Sequence, residues 1–370
     1  MKILHFILGK ADKNRPNGVN QVIAGLAKYL VKEGVDLRVL GKAGSVEREG
    51  AIIDRDGFTV EAYSKLTLKA IIRFVDSVKS ADIVHFHGLY SVYNILASLV
   101  CMVNHTPYII TLHDGLSVIR LNQRRRFLKR MFNLLVQNRF VHGAAAIHVL
   151  TEEESTDLVN FGYTGKIYVI SNGVDLDDFP QVVNNLVVRR SERLRVGYLG
   201  RLAPEKNIGS LISAISMGFT GAGVDLILAG PASTYLDALL KDTSGVSVDH
   251  VGSLYGEQKT EFIKSLDLFV HPAYCDVFSI AAMEVLAVGT PLVITRTSDS
   301  AYFYNRNAFY MCEPTAFGIN RGIQLAIDTS DSWACKSIEG RVLIDSEFNW
   351  SVAAASLKAA YLEIYSLSGK

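Results

Sequence analysis

Short apolar runs alternate with longer amphipathic segments along the first half of the chain. Six of these runs have the length and the β-branched content of buried strands. They lie at 2–8, 35–40, 82–87, 108–113, 145–150 and 166–171. Strands that alternate with helical segments predict a parallel, doubly wound sheet with helices on both faces.

The same alternation begins again in the second half of the chain. Its strand-like runs lie at 194–200, 224–230, 246–252, 267–272, 291–295 and 308–312. A length of 370 residues also suits two domains, because a single core rarely grows beyond about 250–300 residues. We therefore predict two Rossmann-like domains, one over 1–175 and one over 190–349. The polar, Asp-rich segment from Asn172 to Ser191 is the predicted linker.

The stretch from Val270 to Thr295 joins a strand end, a polar turn, a helix and another strand. Asp276 precedes the predicted helix 280–287, and Glu284 lies inside it. Eight residues correspond to about 800° of helical rotation, which would turn both carboxylates to one side. The alternative is that Asp276 is only a cap or turn residue and Glu284 only a solvated position. Glu284 is flanked by apolar residues, so its carboxylate needs a partner or a ligand to offset desolvation.

The composition limits the possible classes of function. The chain has 38 basic and 37 acidic residues, so no global charge attracts nucleic acid. The first apolar run is short and is followed by a polar loop, which indicates a buried strand and no secretory signal. No run is long enough to cross a bilayer. Four isolated cysteines, Cys101, Cys275, Cys312 and Cys335, fit free thiols in a reducing compartment, so we expect the cytoplasm.

Ligands of open parallel sheets bind at the carboxyl ends of the strands. Arg201 and Lys206 follow the first strand of the second domain and precede a helix, an arrangement that suits a diphosphate. The alternative is that Arg201 pairs with Glu205 and Lys206 is a surface residue. Gly18 precedes the first helix, where a glycine serves either as a plain turn or as a place for phosphate to approach backbone.

Three histidines lie at or near strand ends of the first domain. His113 follows a buried strand, and a histidine there is either a capping or core residue or a catalyst. His85 and His87 alternate along one strand and so share a face. A metal site would need further ligands at suitable spacing, and the sequence shows none, so we predict a structural or substrate-contacting role for His85 and His87 and no metal site.

The segment around Arg124–Arg130 has basic residues on one helical face and apolar residues on the other. An amphipathic basic helix suits contact with an anionic membrane surface. Packing on its own domain with a solvated basic side is the equal alternative.

The chain has no GxGxxG after its first strand, no P-loop and no GxSxG motif, which argues against dinucleotide dehydrogenases, P-loop enzymes and α/β-hydrolases.

Taken together, these motifs resemble those of family 4 retaining glycosyltransferases of the GT-B fold along essentially the full length. The motifs that carry the resemblance are Asn17-Gly18, His113 in TLHDG, Ser171 to Asp175, GRLAPEKN (200–207), LAGP (228–231) and Asp276 to Glu284. Each is weak alone, but their order and spacing are specific. The resemblance implies two domains that face a central cleft and a C-terminal helix, 350–370, that crosses back to the first domain.

The resemblance also implies roles for the candidate residues. The diphosphate of a nucleotide sugar would be held by Arg201 and Lys206, and the ribose by Glu284. The sugar would be held by Asp276 and by backbone near Phe278, Ser279 and Ile280, and the base by backbone near Gly252, Ser253 and Leu254. His113 and Gly18 would reach the sugar and the phosphates. No metal or other cofactor is implied, since the two cations neutralise the leaving diphosphate.

The chain departs from the family pattern at three places. Asp276 stands where the family usually has Glu, Val277 and Ser279 stand where glycines usually flank the Phe, and the early loop has one glycine where two are common. We interpret these departures as a donor preference of a subfamily.

The working hypothesis is transfer of a sugar, with retention, from a nucleoside diphosphate sugar to a saccharide or lipid-linked acceptor. UDP is favoured over GDP as the carrier, and the expected setting is bacterial surface polysaccharide assembly at the cytoplasmic face of the membrane. Two alternatives belong to other classes: a catalytically idle nucleotide-sugar sensor and a two-lobed solute-binding protein. The first would bind donor without turnover, and the second would need an export signal.

Overall fold

A computed structural model describes most of the chain and divides it into two units. The described residues are 1–9, 18–43, 46, 48–65, 67–113, 138–179, 193–219, 223–242, 245–274, 276, 278–297 and 306–368. Unit 1 comprises Met1–Asn172 and Trp350–Lys370, and unit 2 comprises Gly173–Asn349.

Unit 1 is built on an eight-stranded sheet. Its strands are β1 (Lys2–Ile7), β2 (Asp36–Lys42), β3 (Ile52–Arg55), β4 (Phe58–Tyr63), β5 (Ile83–His87), β6 (Tyr108–Thr111), β7 (Ala146–Val149) and β8 (Ile167–Val169). Their order is β3-β4-β2-β1-β5-β6-β7-β8. Every neighbouring pair is parallel except β3 and β4. The six predicted strands are present, and the strand order reverses between β1 and β5.

The prediction of six strands missed the hairpin of β3 and β4. Arg55 pairs with Phe58 across a two-residue turn, Asp56-Gly57, in which both residues have positive φ (48° and 87°). An Asp-Gly turn of this kind matches the right-handed twist of the two strands it joins. The Asp-Gly dipeptide between two apolar runs was therefore the signal that sequence reasoning overlooked.

The helices of unit 1 cover both faces of its sheet. They are α1 (Gly18–Lys32), α2 (Leu68–Ser80), α3 (Val92–Val103), α4 (Asn138–His142) and α5 (Glu152–Asn160). One sheet face packs an apolar cluster, including Phe6 and Phe86, against Phe74 of α2 and Ile95 of α3. Successive strand residues alternate faces, so His5 and His85 point to the opposite side.

Unit 2 has a six-stranded sheet with parallel pairs throughout. Its strands are β9 (Leu194–Leu199), β10 (Val224–Ala229), β11 (Ser247–Gly252), β12 (Leu268–His271), β13 (Leu292–Thr295) and β14 (Tyr310–Cys312). The order is β11-β10-β9-β12-β13-β14, and all six were predicted. The helices are α6 (Ile208–Gly218), α7 (Thr234–Leu239), α8 (Gly256–Lys264), α9 (Ile280–Val288), α10 (Ala316–Asp328) and α11 (Trp333–Ser346). Two parallel-sheet α/β domains confirm the predicted fold class.

The last helix, α12 (Trp350–Leu367), belongs to unit 1 and packs beside α1. Gly25 of α1 lies against the indole of Trp350, where any larger side chain would collide with the ring. Leu357, Tyr361 and Ile364 of α12 are also buried. The helix therefore completes the core of unit 1, although unit 2 separates it from that core in sequence.

Other sequence predictions concern thiols and membranes. Cys101 and Cys312 are buried free thiols, Cys335 is an exposed one, and Cys275 lies outside the described residues. Among the helices that the structure describes, none combines the length and the hydrophobicity needed to cross a bilayer. The segment Arg124–Arg130 also lies outside the described residues, so its predicted membrane contact stays a prediction.

Candidate functional site

The candidate site lies where the strand order of unit 2 reverses. β9 begins the sheet in sequence, β10 and β11 extend it on one side, and β12 to β14 extend it on the other. Loops that leave β9 and β12 in opposite directions leave a crevice between them at the carboxyl ends. Arg201 and Lys206 follow β9, whereas Asp276 and Glu284 follow β12.

Asn207 joins the loops that follow β9 and β12. After a single 3-10 turn, Pro204–Lys206, this residue takes a left-handed conformation with φ of 57°. Its side-chain amide donates to the carbonyl oxygens of Pro272 (2.9 Å) and Pro314 (3.1 Å). Asparagine tolerates a left-handed backbone better than most residues do. Asn207 therefore fixes Lys206, the residue before it, beside the loop that carries Asp276.

Lys206 and Asp276 form a close ion pair. The Nζ atom of Lys206 lies 2.6 Å from Oδ2 of Asp276, and Nε2 of His271 lies 3.0 Å from the same oxygen. Burial alone would raise the pKa of Asp276, but Lys206 and His271 hold that pKa well below its usual range. The carboxylate is thus ionised and directed at a cation. Sequence reasoning missed His271, whose position at the end of β12 was the available signal.

Arg201 is not brought into this buried pair. Its guanidinium Nη1 lies 3.0 Å from Oε1 of Glu205, and 52% of the Arg201 side chain is exposed. The alternative considered from the sequence for Arg201 is therefore present in this structure. An exposed ion pair contributes little free energy, so the guanidinium can exchange Glu205 for another anion at little cost.

Glu284 is buried in α9 and has its own cation. The Nζ atom of Lys259, on α8, lies 2.5 Å from Oε1 of Glu284. Sequence reasoning required a partner or ligand for this carboxylate but missed Lys259, which a spacing of 25 residues along the chain does not reveal. Lys259 holds one carboxylate oxygen in place, as a rigid acceptor for a ligand hydroxyl would require.

Helical rotation does not relate Asp276 to Glu284, because Asp276 lies outside helix α9. Helix α9 begins after its N-cap, Ser279, whose hydroxyl accepts from the amide of Ala282 (3.2 Å). Asp276 lies three positions before that cap, so a rotation of about 100° per residue does not apply to it. The helix itself was predicted well, because it begins at Ile280 and ends at Gly289, a C-cap with φ of 89°.

The other residues predicted to contact the sugar lie next to this cap. Phe278 is buried, and its ring lies 5.6 Å from that of Phe348. Its side chain therefore packs in the core, and the prediction of a sugar contact concerns its backbone alone. Ile280 is the first residue of α9 and half-buried. The free amides of a helix N-terminus favour an anionic or hydroxyl-rich ligand.

The residues predicted for the base follow β11. Gly252 ends that strand with φ of 78°, and its carbonyl accepts from the amide of Gly230 (2.8 Å). Ser253 is exposed and Leu254 half-buried. A Cβ atom at Gly230 would collide with the carbonyl oxygen of Gly200, so these two glycine loops touch through backbone. Only glycine allows two backbone segments to approach this closely without strain.

The candidates of unit 1 are Gly18 and His113. Helix α1 begins at Gly18, and the loop 10–17 before it lies outside the described residues. His113 is half-buried, has φ of 49°, and its Nε2 lies 3.1 Å from Nδ1 of His87. Burial, with His148 nearby, lowers the pKa of His113 to about 3. The ring is therefore neutral near pH 7 and offers one donor and one acceptor.

Three cation–carboxylate pairs lie on described segments that follow β9, β11 and β12 of unit 2: Lys206 with Asp276, Lys259 with Glu284, and Arg201 with Glu205. Each cation is held by an acid, so the group has no large excess charge. A diphosphate that binds here would meet cations that carboxylates already hold in position. The side chains of the two buried pairs would therefore not have to become ordered on binding. The arrangement suits stabilisation of negative charge on a leaving group.

Both parts of the chain match models of known protein families. Residues 16–178 match the family model described as Glycosyltransferase Family 4, and residues 187–331 match Glycosyl transferases group 1. A GDP-mannose-dependent alpha-mannosyltransferase of Mycobacterium tuberculosis is 29% identical over 132 residues, which are 35% of this chain and 33% of the relative. The chain thus matches only about a third of the length of that relative.

Two solved structures are similar along nearly the whole chain. Sucrose-phosphate synthase from Thermosynechococcus elongatus has a TM-score of 0.79 at 17% identity, over 99% of this chain and 100% of that one. Anabaena HepE in complex with UDP-glucose has a TM-score of 0.76 at 17% identity, over 98% and 100%. At such identity the likeness establishes the fold. With both domains matched by family models and a GT-B fold shared with these structures, the chain belongs to glycosyltransferase family 4.

Proposed function

We propose that this protein transfers a sugar from a nucleoside diphosphate sugar to a saccharide or lipid-linked acceptor, with retention of anomeric configuration and without a metal ion. The observation that carries the proposal is the ion pair of Lys206 and Asp276, with His271 beside it, at the strand-order reversal of unit 2. A buried cation at the place where open sheets bind ligands is suited to a diphosphate.

The charged candidate residues of unit 2 have separate roles in this proposal. Lys206 and Arg201 bind the diphosphate and stabilise the charge that develops as the sugar–phosphate bond breaks. Asp276 orients Lys206 and accepts a hydrogen bond from the sugar. Glu284, held by Lys259, accepts hydrogen bonds from the ribose hydroxyls. Because fixed cations supply the charge stabilisation, the chemistry requires no divalent ion.

The donor and the setting belong to the same proposal. We favour UDP over GDP as the carrier; the structurally similar HepE has been solved with UDP-glucose, whereas the M. tuberculosis relative is GDP-mannose-dependent. The setting we propose is the assembly of bacterial surface polysaccharide at the cytoplasmic face of the membrane. The alternative, a nucleotide-sugar sensor without catalysis, would use the same binding residues.

Thermal-shift titration with UDP-glucose and GDP-mannose tests binding. A ligand at about 100 times its Kd stabilises the protein by about 2.7 kcal/mol, so the preferred donor should raise Tm clearly. Lys206→Ala should abolish the shift, and the control Lys264→Ala, at an exposed pair with Glu261, should preserve it. No shift with either nucleotide sugar, or the same shift in Lys206→Ala, would refute the assignment of the site.

Turnover tests catalysis separately from binding. Slow release of UDP or GDP from the donor should occur in the presence of EDTA and should fall by at least about 100-fold in Lys206→Ala, since one stabilising group in a site of this kind contributes about 10²–10³. Once an acceptor is found, proton NMR of the product should show the anomeric configuration of the donor. Donor binding without any release or transfer would establish the sensor instead.

A further inference from the structure

A band of buried polar side chains crosses the face of the unit 1 sheet that is opposite its apolar cluster. His5 of β1 pairs in register with His85 of β5, His87 with Thr111 of β6, and Thr111 with His148 of β7. All five are buried. Helix α12 supplies a sixth member, Tyr361, whose side chain is fully buried over the same face.

Hydrogen bonds join these groups into one unbranched chain. From the interior outwards, His148 Nε2 lies 2.8 Å from the carbonyl oxygen of Ile170, and His148 Nδ1 lies 2.8 Å from the hydroxyl of Thr111. That hydroxyl lies 2.6 Å from His85 Nε2, and His85 Nδ1 lies 2.6 Å from the hydroxyl of Tyr361.

The chain continues from Tyr361 to the candidate residue of unit 1. The Tyr361 hydroxyl lies 3.0 Å from His5 Nε2, and His5 Nδ1 lies 3.1 Å from His87 Nε2. His87 Nδ1 then lies 3.1 Å from Nε2 of His113. Every ring nitrogen of His5, His85, His87 and His148 has a partner, and no carboxylate is among these partners.

The backbone carbonyl at one end decides the direction of every bond in the chain. A carbonyl oxygen only accepts, so His148 must carry its proton on Nε2. A buried histidine without an acidic partner is neutral, so Nδ1 of His148 is an acceptor. Thr111 has one hydroxyl proton and must donate it to His148. Towards His85 the Thr111 oxygen can therefore only accept.

The same reasoning passes along the remaining members. His85 donates from Nε2 to Thr111 and accepts at Nδ1, so Tyr361 donates its single proton to His85. Tyr361 then accepts from Nε2 of His5, which leaves Nδ1 of His5 to accept from Nε2 of His87. By the same step Nδ1 of His87 accepts from Nε2 of His113. All five histidines are Nε2–H tautomers.

We propose that Tyr361 is a positioning residue that, through this polarised chain, fixes His113 as the Nε2–H tautomer and leaves its Nδ1 as the acceptor. The consequence for the reaction rests on the proposed function: Nδ1 of His113 is then ready to accept a hydrogen bond from a substrate hydroxyl. The tautomer of a neutral histidine decides which of its nitrogens can do so.

A metal site is the competing interpretation of the same residues. His5, His85 and His87 place one ligand atom each within 4.8 Å of one another. A metal would need a lone pair from each ring, and would have to break hydrogen bonds that now engage all six nitrogens of the three rings. The satisfied hydrogen bonds favour the polarised chain.

Long-range proton–nitrogen NMR of protein labelled with ¹⁵N-histidine tests the proposal, because the two neutral tautomers give different nitrogen shifts. Peaks are assigned by single His→Gln variants. We expect Nε2–H for His5, His85, His87, His113 and His148 at pH 7.5. A neutral Nδ1–H form at any of them, or zinc retained at one ion per chain with loss of the N–H pattern, would overturn the proposal.

Tyr361→Phe removes the hydroxyl that links the two halves of the hydrogen-bonded chain, His85 on one side and His5 on the other. His85 and His148 should stay Nε2–H, because Ile170 still fixes them through Thr111. Without the Tyr361 hydroxyl, the Nε2–H group of His5 would be buried without an acceptor, which is costly. This cost is avoided if the proton moves to Nδ1 in His5, His87 and His113, which reverses the hydrogen bonds between them. These three histidines should therefore show Nδ1–H signal.

The control is Tyr108→Phe, which removes another buried tyrosine hydroxyl of the same sheet, 2.8 Å from the carbonyl of Phe140. It should leave all five tautomers unchanged. Unchanged tautomers in Tyr361→Phe would refute the positioning role of Tyr361. If that variant fails to fold, the tautomers in the wild-type spectrum still decide the direction of the hydrogen bonds from Ile170 to His113. None of these spectra requires a donor, so failure here and failure of the proposed function are separate results.

Discussion

Replacing Lys206 by Met tests the stability of the buried ion pair directly. The change keeps the length and the apolar stem of the side chain but removes the charge 2.6 Å from Asp276. Only 11% of the Lys206 side chain and 24% of the Asp276 side chain are exposed. The variant therefore leaves a largely desolvated carboxylate with His271 as its one remaining close partner among the described residues.

The expected loss of stability follows from this burial. Removing one partner of a buried pair costs about 3–5 kcal/mol. We expect about 3 kcal/mol, the lower end, because a quarter of the carboxylate meets solvent and His271 stays in place. Lys264→Met removes a pair with a similar distance, 2.8 Å, whose side chains are 35% and 61% exposed. That control should lose at most about 1 kcal/mol.

The two tryptophans make the measurement specific to unit 2. Trp333 is buried in unit 2, whereas Trp350 belongs to unit 1. In a Trp350→Phe background, urea unfolding followed by fluorescence reports Trp333 alone. A two-domain chain need not unfold in one step, so the separate reporter is needed to assign a free energy.

The pH dependence gives a second, independent outcome. Lys206 and His271 hold the pKa of Asp276 below its usual range. Such a carboxylate contributes stability that is present above the unfolded pKa of about 3.9 and is lost as the pH falls through the lower folded pKa. The gap between wild type and Lys206→Met should therefore persist at pH 6 and narrow below pH 4. A loss no larger than that of Lys264→Met, or a gap that widens in acid, would refute the reasoning.

Further predictions concern backbone contacts, the second acid and the histidines. Gly230→Ala should destabilise unit 2 because the new Cβ meets backbone, whereas Gly162→Ala in unit 1 is an uncrowded control that also has positive φ. Measured by urea unfolding, the loss at Gly230 should exceed the loss at Gly162 by about 1–3 kcal/mol. Gly25→Leu should displace the indole of Trp350, seen as a red shift of its emission in a Trp333→Phe background. Glu284→Gln should weaken UDP binding at least about 10-fold by calorimetry, since a charged hydrogen bond contributes about 1.5–3 kcal/mol. Burial lowers the pKa of His5 to about 3 and of His148 to about 4. As the pH falls from 6 to 4, the free energy of unfolding of unit 1 should therefore decrease by up to about 1.4 kcal/mol per pH unit for each such histidine. An equal decrease in unit 2 would contradict this prediction.

The sequence predicted the strands well because buried parallel strands are continuous apolar runs, and each of the twelve predicted runs holds a strand. It also predicted the end of α9, since a glycine with positive φ is a common helix stop. The hairpin of β3 and β4 was missed because β3 is the edge strand of the sheet, so that Ile52 and Ile53 stay exposed and the segment resembles a loop.

The site was less predictable than the fold because side-chain pairing depends on distances between elements. The apolar neighbours of Glu284 indicated that it needed a partner, but only the packing of α8 against α9 identifies Lys259. Arg201 and Lys206 looked equivalent in sequence, yet one is exposed and the other buried. The hydrogen-bonded histidine chain was hidden for the same reason, since its members come from four strands, the segment after β6 and helix α12.

The chain enters and leaves unit 2 through neighbouring segments, because Val174 forms a parallel bridge with Asn349 and donates its amide to Phe348. During translation the ribosome therefore releases all of unit 2 before α12, which carries Trp350 and Tyr361. Until that helix emerges, the nascent first domain holds His5, His85, His87 and His148 on a sheet face that lacks the Tyr361 side chain. Unit 1 is therefore completed only after unit 2 has been synthesised, and a truncated chain that lacks α12 should need chaperone protection on the half that was made first.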